Sequence, residues 1–192
     1  QGYKIKYYSL NDCREYIRKY FEDSDFLQAF DSLNPYAFKC DFFRYCVLYN
    51  EGGWYSDWKQ ECLENNLLDK LDKNKNMNIV LIKDRGNKHA IKNKWIQNCF
   101  IGSIPKYLKL KEIINNVINN IKYQKYYKNS VDCTGPGLIS KYFNYQNTLP
   151  FKFENNLISD KNKTIIIHKC RGCGQNRDWK NGNNYDNYWI NK

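Results

Sequence analysis

The segment spanning residues 34–59, NPYAFKCDFFRYCVLYNEGGWYSDWK, places the tightest constraint on how this chain folds. Asn34 before Pro35 predicts a helix start, because an Asn side chain accepts from an early backbone N–H and proline's fixed φ suits the first helical position. The helix is expected to run to about Tyr49. Ala37, Cys40, Val47 and Leu48 lie among Phe38, Phe42, Phe43, Tyr45 and Tyr49, too many apolar side chains for a thin stripe, so much of its surface must be buried. Asp41 and Arg44 sit inside that apolar run, three residues apart and hence on one face. Gly52 and Gly53 end the helix and turn the chain, since glycine takes a left-handed cap without penalty. Trp54 and Tyr55 then open a short strand with Asp57 at its end. Helix, turn and strand together direct Asp41, Arg44 and Asp57 towards one cleft. A Gly-Gly pair alone is only a turn, and an Asp–Arg pair alone is only a local ion pair; it is their order that carries information.

Composition bounds the rest. At 192 residues, with 42% apolar content, the chain fits one domain with a core of its own. Seventeen tyrosines, ten phenylalanines and five tryptophans exclude a disordered chain, because disordered chains are poor in aromatics. The net charge of +11 attracts phosphates, which keeps nucleic acid, membrane surfaces and nucleotide diphosphates in play. The lysines are spread along the whole length with no arginine-rich block, so the charge reads mainly as a solvated surface. Of the eight cysteines, only Cys170 and Cys173 form a CxxC, half a zinc site to which neither His89 nor His168 adds ligand spacing; reduced thiols in a turn and a local disulfide are the other readings. The remaining cysteines, several within apolar patterns, behave as small hydrophobes. No apolar run approaches the roughly 20 residues of a membrane span. No signal-peptide hydrophobic region opens the chain, so a cytoplasmic location is expected for it as given.

Taken in order, Lys4 to Tyr8 alternates as a short strand, and Ser9 with Asp12 forms a capping box ahead of Leu10, Cys13, Ile17, Tyr20 and Phe21 at helical spacing. A second helix is expected from Phe26 to Leu33. After the central stretch, Glu61 to Leu71 reads as a loop into a short helix, and KNKNMN as a polar connector. The run IVLI within Asn78 to Lys83 predicts a buried strand. Asp84 to Lys94 reads as a loop and Trp95 to Gly102 as a strand. Pro105 opens a helix in which Leu110, Ile113, Ile114, Val117, Ile118 and Ile121 share one face. In TGPGLISKYF, Gly135 and Gly137 permit close backbone approach, and a helix start there offers N–H groups to an anion or a sugar hydroxyl. Thr164 to His168 is expected as a strand, and residues 171–192 as a tail or lid. Alternating strands and helices predict an α/β sandwich with a mostly parallel central sheet.

The order of alanine, Asp, two apolar residues, Arg-Tyr, an apolar run, Gly-Gly, Tyr and a final Asp, read here as AFKCDFFRYCVLYNEGGWYSDWK, resembles the core of the DXD-containing glycosyltransferases of the sugar-binding-region family. FIGSIPK and TGPGL extend the resemblance. It implies the GT-A fold, Rossmann-like, with ligands at the carboxyl ends of the strands. It also implies a strand ahead of GYKIKYYS that helps hold the nucleotide base in relatives. The implied activity is transfer of a sugar from a UDP- or GDP-sugar to a glycan or glycoprotein acceptor, with retention of anomeric configuration and, in relatives, a Golgi-type lumen as one setting.

The resemblance assigns roles by residue. Asp57 and Arg44 take the catalytic places, with Asp57 also in the metal-binding one and Arg44 contacting the donor sugar or diphosphate. Asp41 accepts from ribose or sugar hydroxyls, and Trp54 and Tyr55 wall the pocket. Asn98 of NCFIGS, and Thr134 with Gly135 of the Thr-Gly-Pro turn, lie against the donor. Mn²⁺ or Mg²⁺ is the implied cofactor, since leaving diphosphate develops negative charge. The triplet here reads Asp57-Trp58-Lys59, with a cation in the place of the second acid. Three outcomes are open: a weak metal held by Asp57 and water, a lysine that replaces the metal against the diphosphate, or a sugar-binding protein with little activity. The tail segment NNYDNYWINK holds Trp189 but no histidine, so the metal-completing histidine of relatives is not carried over. The contrasting class is a domain that stacks single-stranded nucleic acid on aromatics such as those of KYQKYYK. The balance of features favours the sugar nucleotide, with no nucleic-acid partner.

Overall fold

In the computed structural model, which describes residues 3–58, 60–72, 78–125, 129–148, 152–154, 157–160 and 163–168, the chain begins its first helix where Ser9 and Asp12 place it. The Ser9 hydroxyl accepts from the Asp12 N–H at 3.2 Å, and the Asp12 carboxylate accepts from the Ser9 N–H at 2.8 Å, opening α1 (Leu10–Tyr20). Lys4 to Tyr8, expected as a strand, joins no ladder; its anchor is the Tyr8 ring against Tyr16 and Phe43. Asp23 caps α2 (Ser24–Ser32). Pro35, not Asn34, occupies the cap of α3 (Tyr36–Glu51), with no side-chain cap bond. As expected, α3 is buried on most sides, through Phe38, Phe42, Phe43, Tyr45, Cys46 and Leu48 as well as Asp41 and Arg44.

Gly52 ends α3 with φ +69° and Gly53 follows at +88°, both in the left-handed region that favours glycine. The chain reverses into β1 (Gly53–Ser56) and, after a tight turn, β2 (Gln60–Cys62). There follow α4 (Leu67–Asp72), β3 (Ile79–Asp84), α5 (Lys88–Lys92), β4 (Ile96–Ser103), α6 (Leu108–Lys122) and the short α7 (Pro136–Ile139). Three strands close the described chain, β5 (Lys152–Glu154), β6 (Leu157–Asp160) and β7 (Lys163–His168). The Asp84 to Lys94 stretch, expected as loop, contains α5 because Asn87 caps it by accepting from the Ala90 N–H. β2, which takes Glu61 and Cys62 out of the expected loop by pairing with β7, was not foreseen, nor were β5 and β6. The connector KNKNMN lies almost wholly outside the described residues, as do Lys59, Cys170, Cys173 and the tail from 171 to 192.

The sheet order is β1-β4-β3-β5-β6-β7-β2. Among the described residues the mostly parallel sheet expected from alternation does not form: β3 and β5 run parallel, and the other five pairings are antiparallel. For two of these five the physical reason is connection length. Two-residue links between β5 and β6 and between β6 and β7 permit only hairpins, because a parallel crossover needs a dozen residues or more. The two edge strands, β1 and β2, are joined by the 57–60 turn, and the Ser56 hydroxyl donates to Gln60 Oε1 at 2.7 Å. The sheet therefore curls until its edges meet beside Asp57.

The curl separates two cores. On one face, α1, α2, α3, α6 and α7 pack over Leu81, Ile96 and Ile101. Leu110, Ile113, Ile114, Val117 and Ile118 of α6 are buried as their spacing requires, with Ile121 partly buried behind them. Burying each such side chain contributes on the order of 1.5–3 kcal/mol. On the other face, Leu67 and Leu71 of α4 cover Val80, Ile82, Cys99, Phe100, Ile158 and Ile166. No described helix is long and apolar enough to cross a membrane.

The glycine turn makes a measurable distinction. A Cβ on Gly52 would lie 2.7 Å from Pro105 Cδ and 2.9 Å from the Ser103 carbonyl, whereas one on Gly53 would meet nothing within 4 Å. Gly53→Ala is expected to cost about 1–2 kcal/mol of backbone strain, and Gly52→Ala a further 1–3 kcal/mol, roughly, of steric overlap. Urea denaturation of the two variants checks the order; equal losses contradict it.

Candidate functional site

Asp41, Arg44 and Tyr45 are spaced i, i+3 and i+4 on α3, so they leave the helix on one side, towards the β1–β4 edge of the sheet. β1 pairs with β4 from Gly53↔Ser103 to Ser56↔Phe100, and the Asp57 N–H extends the ladder by donating to the Cys99 carbonyl at 3.0 Å. That step sets Asp57 beside Asn98. The TGPG turn arrives from the opposite side, bringing Thr134 and Gly135 over Asp41.

The result is one connected polar cluster under the sheet edge. Arg44 Nη2 meets Asp41 Oδ1 at 2.9 Å and Arg44 Nη1 meets Asp57 Oδ1 at 3.5 Å. Arg44 also donates from Nη1 to the Asn98 carbonyl at 2.5 Å and from Nε to the Cys40 carbonyl at 3.3 Å. Its guanidinium carbon lies 4.4 Å from the centre of the Tyr55 ring, a cation–π contact in a desolvated setting. Asp41 accepts from Asn98 Nδ2 and from the Thr134 hydroxyl, each at 2.9 Å. The Tyr45 hydroxyl donates to the Thr134 carbonyl at 2.8 Å and accepts from Asn98 Nδ2 at 3.2 Å. The Tyr55 hydroxyl donates to Asp57 Oδ1 at 2.8 Å.

Depth divides the cluster. Asp41 is 8% exposed and Arg44 5%, with Thr134 and Asn98 also buried, whereas the Asp57 side chain is 29% exposed. Burial pushes the Asp41 carboxyl up, opposed by Arg44 and by the hydrogen bonds from Thr134 and Asn98. Burial works against the charge on Arg44, yet Tyr55, Asp41 and Asp57 outweigh it and hold the guanidinium well above its ordinary value. Arg44 is thus a permanent buried cation shared by two acids, and Asp57 is the part of the cluster that reaches solvent.

Seven of the residues named from the sequence, Asp41, Arg44, Tyr55, Asp57, Asn98, Thr134 and Gly135, therefore meet in one corner. Trp54 does not. It alternates with Tyr55 along β1 and points to the second core, where its ring stacks on Phe100 and a Cβ on Gly102 would lie 2.5 Å from it. Lys59 lies outside the described residues. Tyr45 was missed as a polar member because the sequence reading counted it as apolar, although its i+4 spacing from Asp41 was a usable signal.

The described residues do not fit a divalent cation. Among them, no group of three His, Cys, Asp or Glu side chains is placed to hold one. Asp41 is buried and saturated, and Asp57 already faces a guanidinium and a phenol hydroxyl. Hard divalent cations need several oxygen ligands, and this corner presents one partly open carboxylate.

A buried ion pair broken on one side leaves an uncompensated charge. Arg44→Met is expected to cost about 3–5 kcal/mol in urea denaturation, and adding Asp41→Asn should recover part of that loss. A loss under about 1 kcal/mol for the single variant, or no recovery in the double, contradicts the shared-cation geometry.

A comparison with curated proteins finds no match. Residues 4–78, which hold α3, the glycine turn and Asp57, match the family described as the glycosyltransferase sugar-binding region containing a DXD motif, and over that stretch the chain is DXD-glycosyltransferase-like.

Proposed function

We propose that the chain is a glycosyltransferase, a single catalytic domain of GT-A type, that takes a sugar from a UDP- or GDP-sugar and passes it to a glycan or glycoprotein. The observation that supports this best is the corner itself: the partly exposed carboxylate of Asp57, within the stretch that matches the sugar-binding region, held by a buried guanidinium whose other acid, Asp41, meets the Thr-Gly-Pro turn. Asp57 accepts hydrogen bonds from donor hydroxyls. Asp41 and Arg44, spent on one another and on Asn98 and Thr134, act by fixing where Asp57 sits. Pre-set donors and acceptors of this kind need no reorganisation when the substrate binds.

Donor binding in this reading does not depend on a divalent cation. Lys59 supplies positive charge towards the leaving diphosphate, since an ammonium is a compact phosphate donor and the second acid of the triplet is absent. A panel of UDP- and GDP-sugars is expected to raise the Tm of the protein in the presence of EDTA. For a ligand at about 100 times its Kd the gain is about 2.7 kcal/mol, or roughly 5–10 °C in a chain of this size. No shift with any sugar nucleotide contradicts the donor reading. A shift that vanishes in EDTA and returns with Mn²⁺ contradicts the lysine-for-metal reading.

A further inference from the structure

The residue after Asp57 is a tryptophan at the tip of a tight turn, where the Gln60 N–H closes back on the Asp57 carbonyl at 2.9 Å. Turn tips favour Gly, Asn, Asp and Ser. Trp58 is nevertheless 79% exposed, and Tyr7, 71% exposed on the extended N-terminal segment, meets it edge to face with ring centres 5.8 Å apart and planes at 74°. Two large rings left in water beside the one carboxylate of the corner that reaches solvent carry an unsatisfied apolar area that folding does not explain.

The geometry points to a docking platform for a pyranose ring, the acceptor sugar of the proposed transfer; as an acceptor site it rests on that reading. Rings set edge to face leave no parallel slot into which a nucleobase slides between two faces. They leave an open face on a single ring. A pyranose fits that arrangement: it lays one C–H face on an indole and keeps its hydroxyls at the edge, in water or towards polar neighbours. Those neighbours are present in the partly exposed Asp57 carboxylate and in the exposed Ser56, whose hydroxyl donates to Gln60. The platform adjoins Asp57, so a sugar held on it lies next to the residue proposed to bind the donor.

The test is saturation-transfer NMR on the full chain with methyl glycosides of glucose, galactose and mannose, each with and without UDP or GDP. The expected result is transfer from the protein to the ring C–H protons of at least one glycoside, lost in Trp58→Ala and weakened about threefold or more in Tyr7→Ala. Because both side chains are largely in solvent, the Tm of either variant should stay within about 2 °C of the parent, and thermal shifts by sugar nucleotides should be unchanged. Absence of glycoside transfer in the parent overturns the proposal. So does transfer unaffected by Trp58→Ala, or loss of nucleotide binding in that variant, which would make the platform a base-stacking site. If sugar nucleotides fail to shift the parent while Trp58-dependent glycoside contact persists, the donor reading fails and the sugar platform stands.

Discussion

A single guanidinium, buried and shared between two carboxylates, fixes the arrangement of everything around it. Arg44 joins a helix to a sheet edge through Asp41 on its own helix, Asp57 at the end of β1 and the backbone of Asn98 in β4. Desolvating Asp41 and Arg44 is costly, and the cost is offset because the two meet each other and hydrogen-bonding partners from several segments. Asn98, Thr134 and Tyr45 supply those partners from three different segments. The cluster thus constrains the relative placement of α3, β1, β4 and the TGPG turn more sharply than apolar packing alone, which tolerates repacking among side chains of similar volume.

The curled sheet turns that constraint into a site. Because β1 and β2 are neighbours in the chain and opposite edges of the sheet, the 57–60 turn closes a corner where the β1 ladder ends against the side of α3 and the start of α7. One acid emerges there while its partner remains below the surface. The same turn carries Trp58 outward, so a charged group and an apolar platform are presented side by side.

Much of this was legible in the sequence wherever a local rule determined the outcome. Ser9 with Asp12, the Gly52-Gly53 break and the apolar face of Leu110 to Ile118 each act within a few residues, and each formed where its chemistry places it. The ring of Trp54 and the sheet direction were not legible, because both depend on which strands pair. A strand end of Gly-Trp-Tyr-Ser gives two faces but does not say which one meets α3, and short hairpin links override the parallel pattern suggested by alternating elements. The partner of Asn98 was equally hidden. An Asn at a strand is ambiguous until the helix opposite it is known, and here that helix supplies a buried aspartate.

The central claim is the proposal that this corner receives a sugar nucleotide on Asp57, with Arg44 held as the buried partner of Asp41 and Asp57, Lys59 meeting the diphosphate and no cation recruited from solution. The most direct measurement is a crystal structure of the protein soaked with UDP- and GDP-sugars and Mn²⁺, collected where manganese scatters anomalously. The expected result is nucleotide density beside Asp57, Arg44 still paired to Asp41, and no anomalous peak in the corner. A manganese peak on Asp57, or a nucleotide bound elsewhere on the protein, would contradict it.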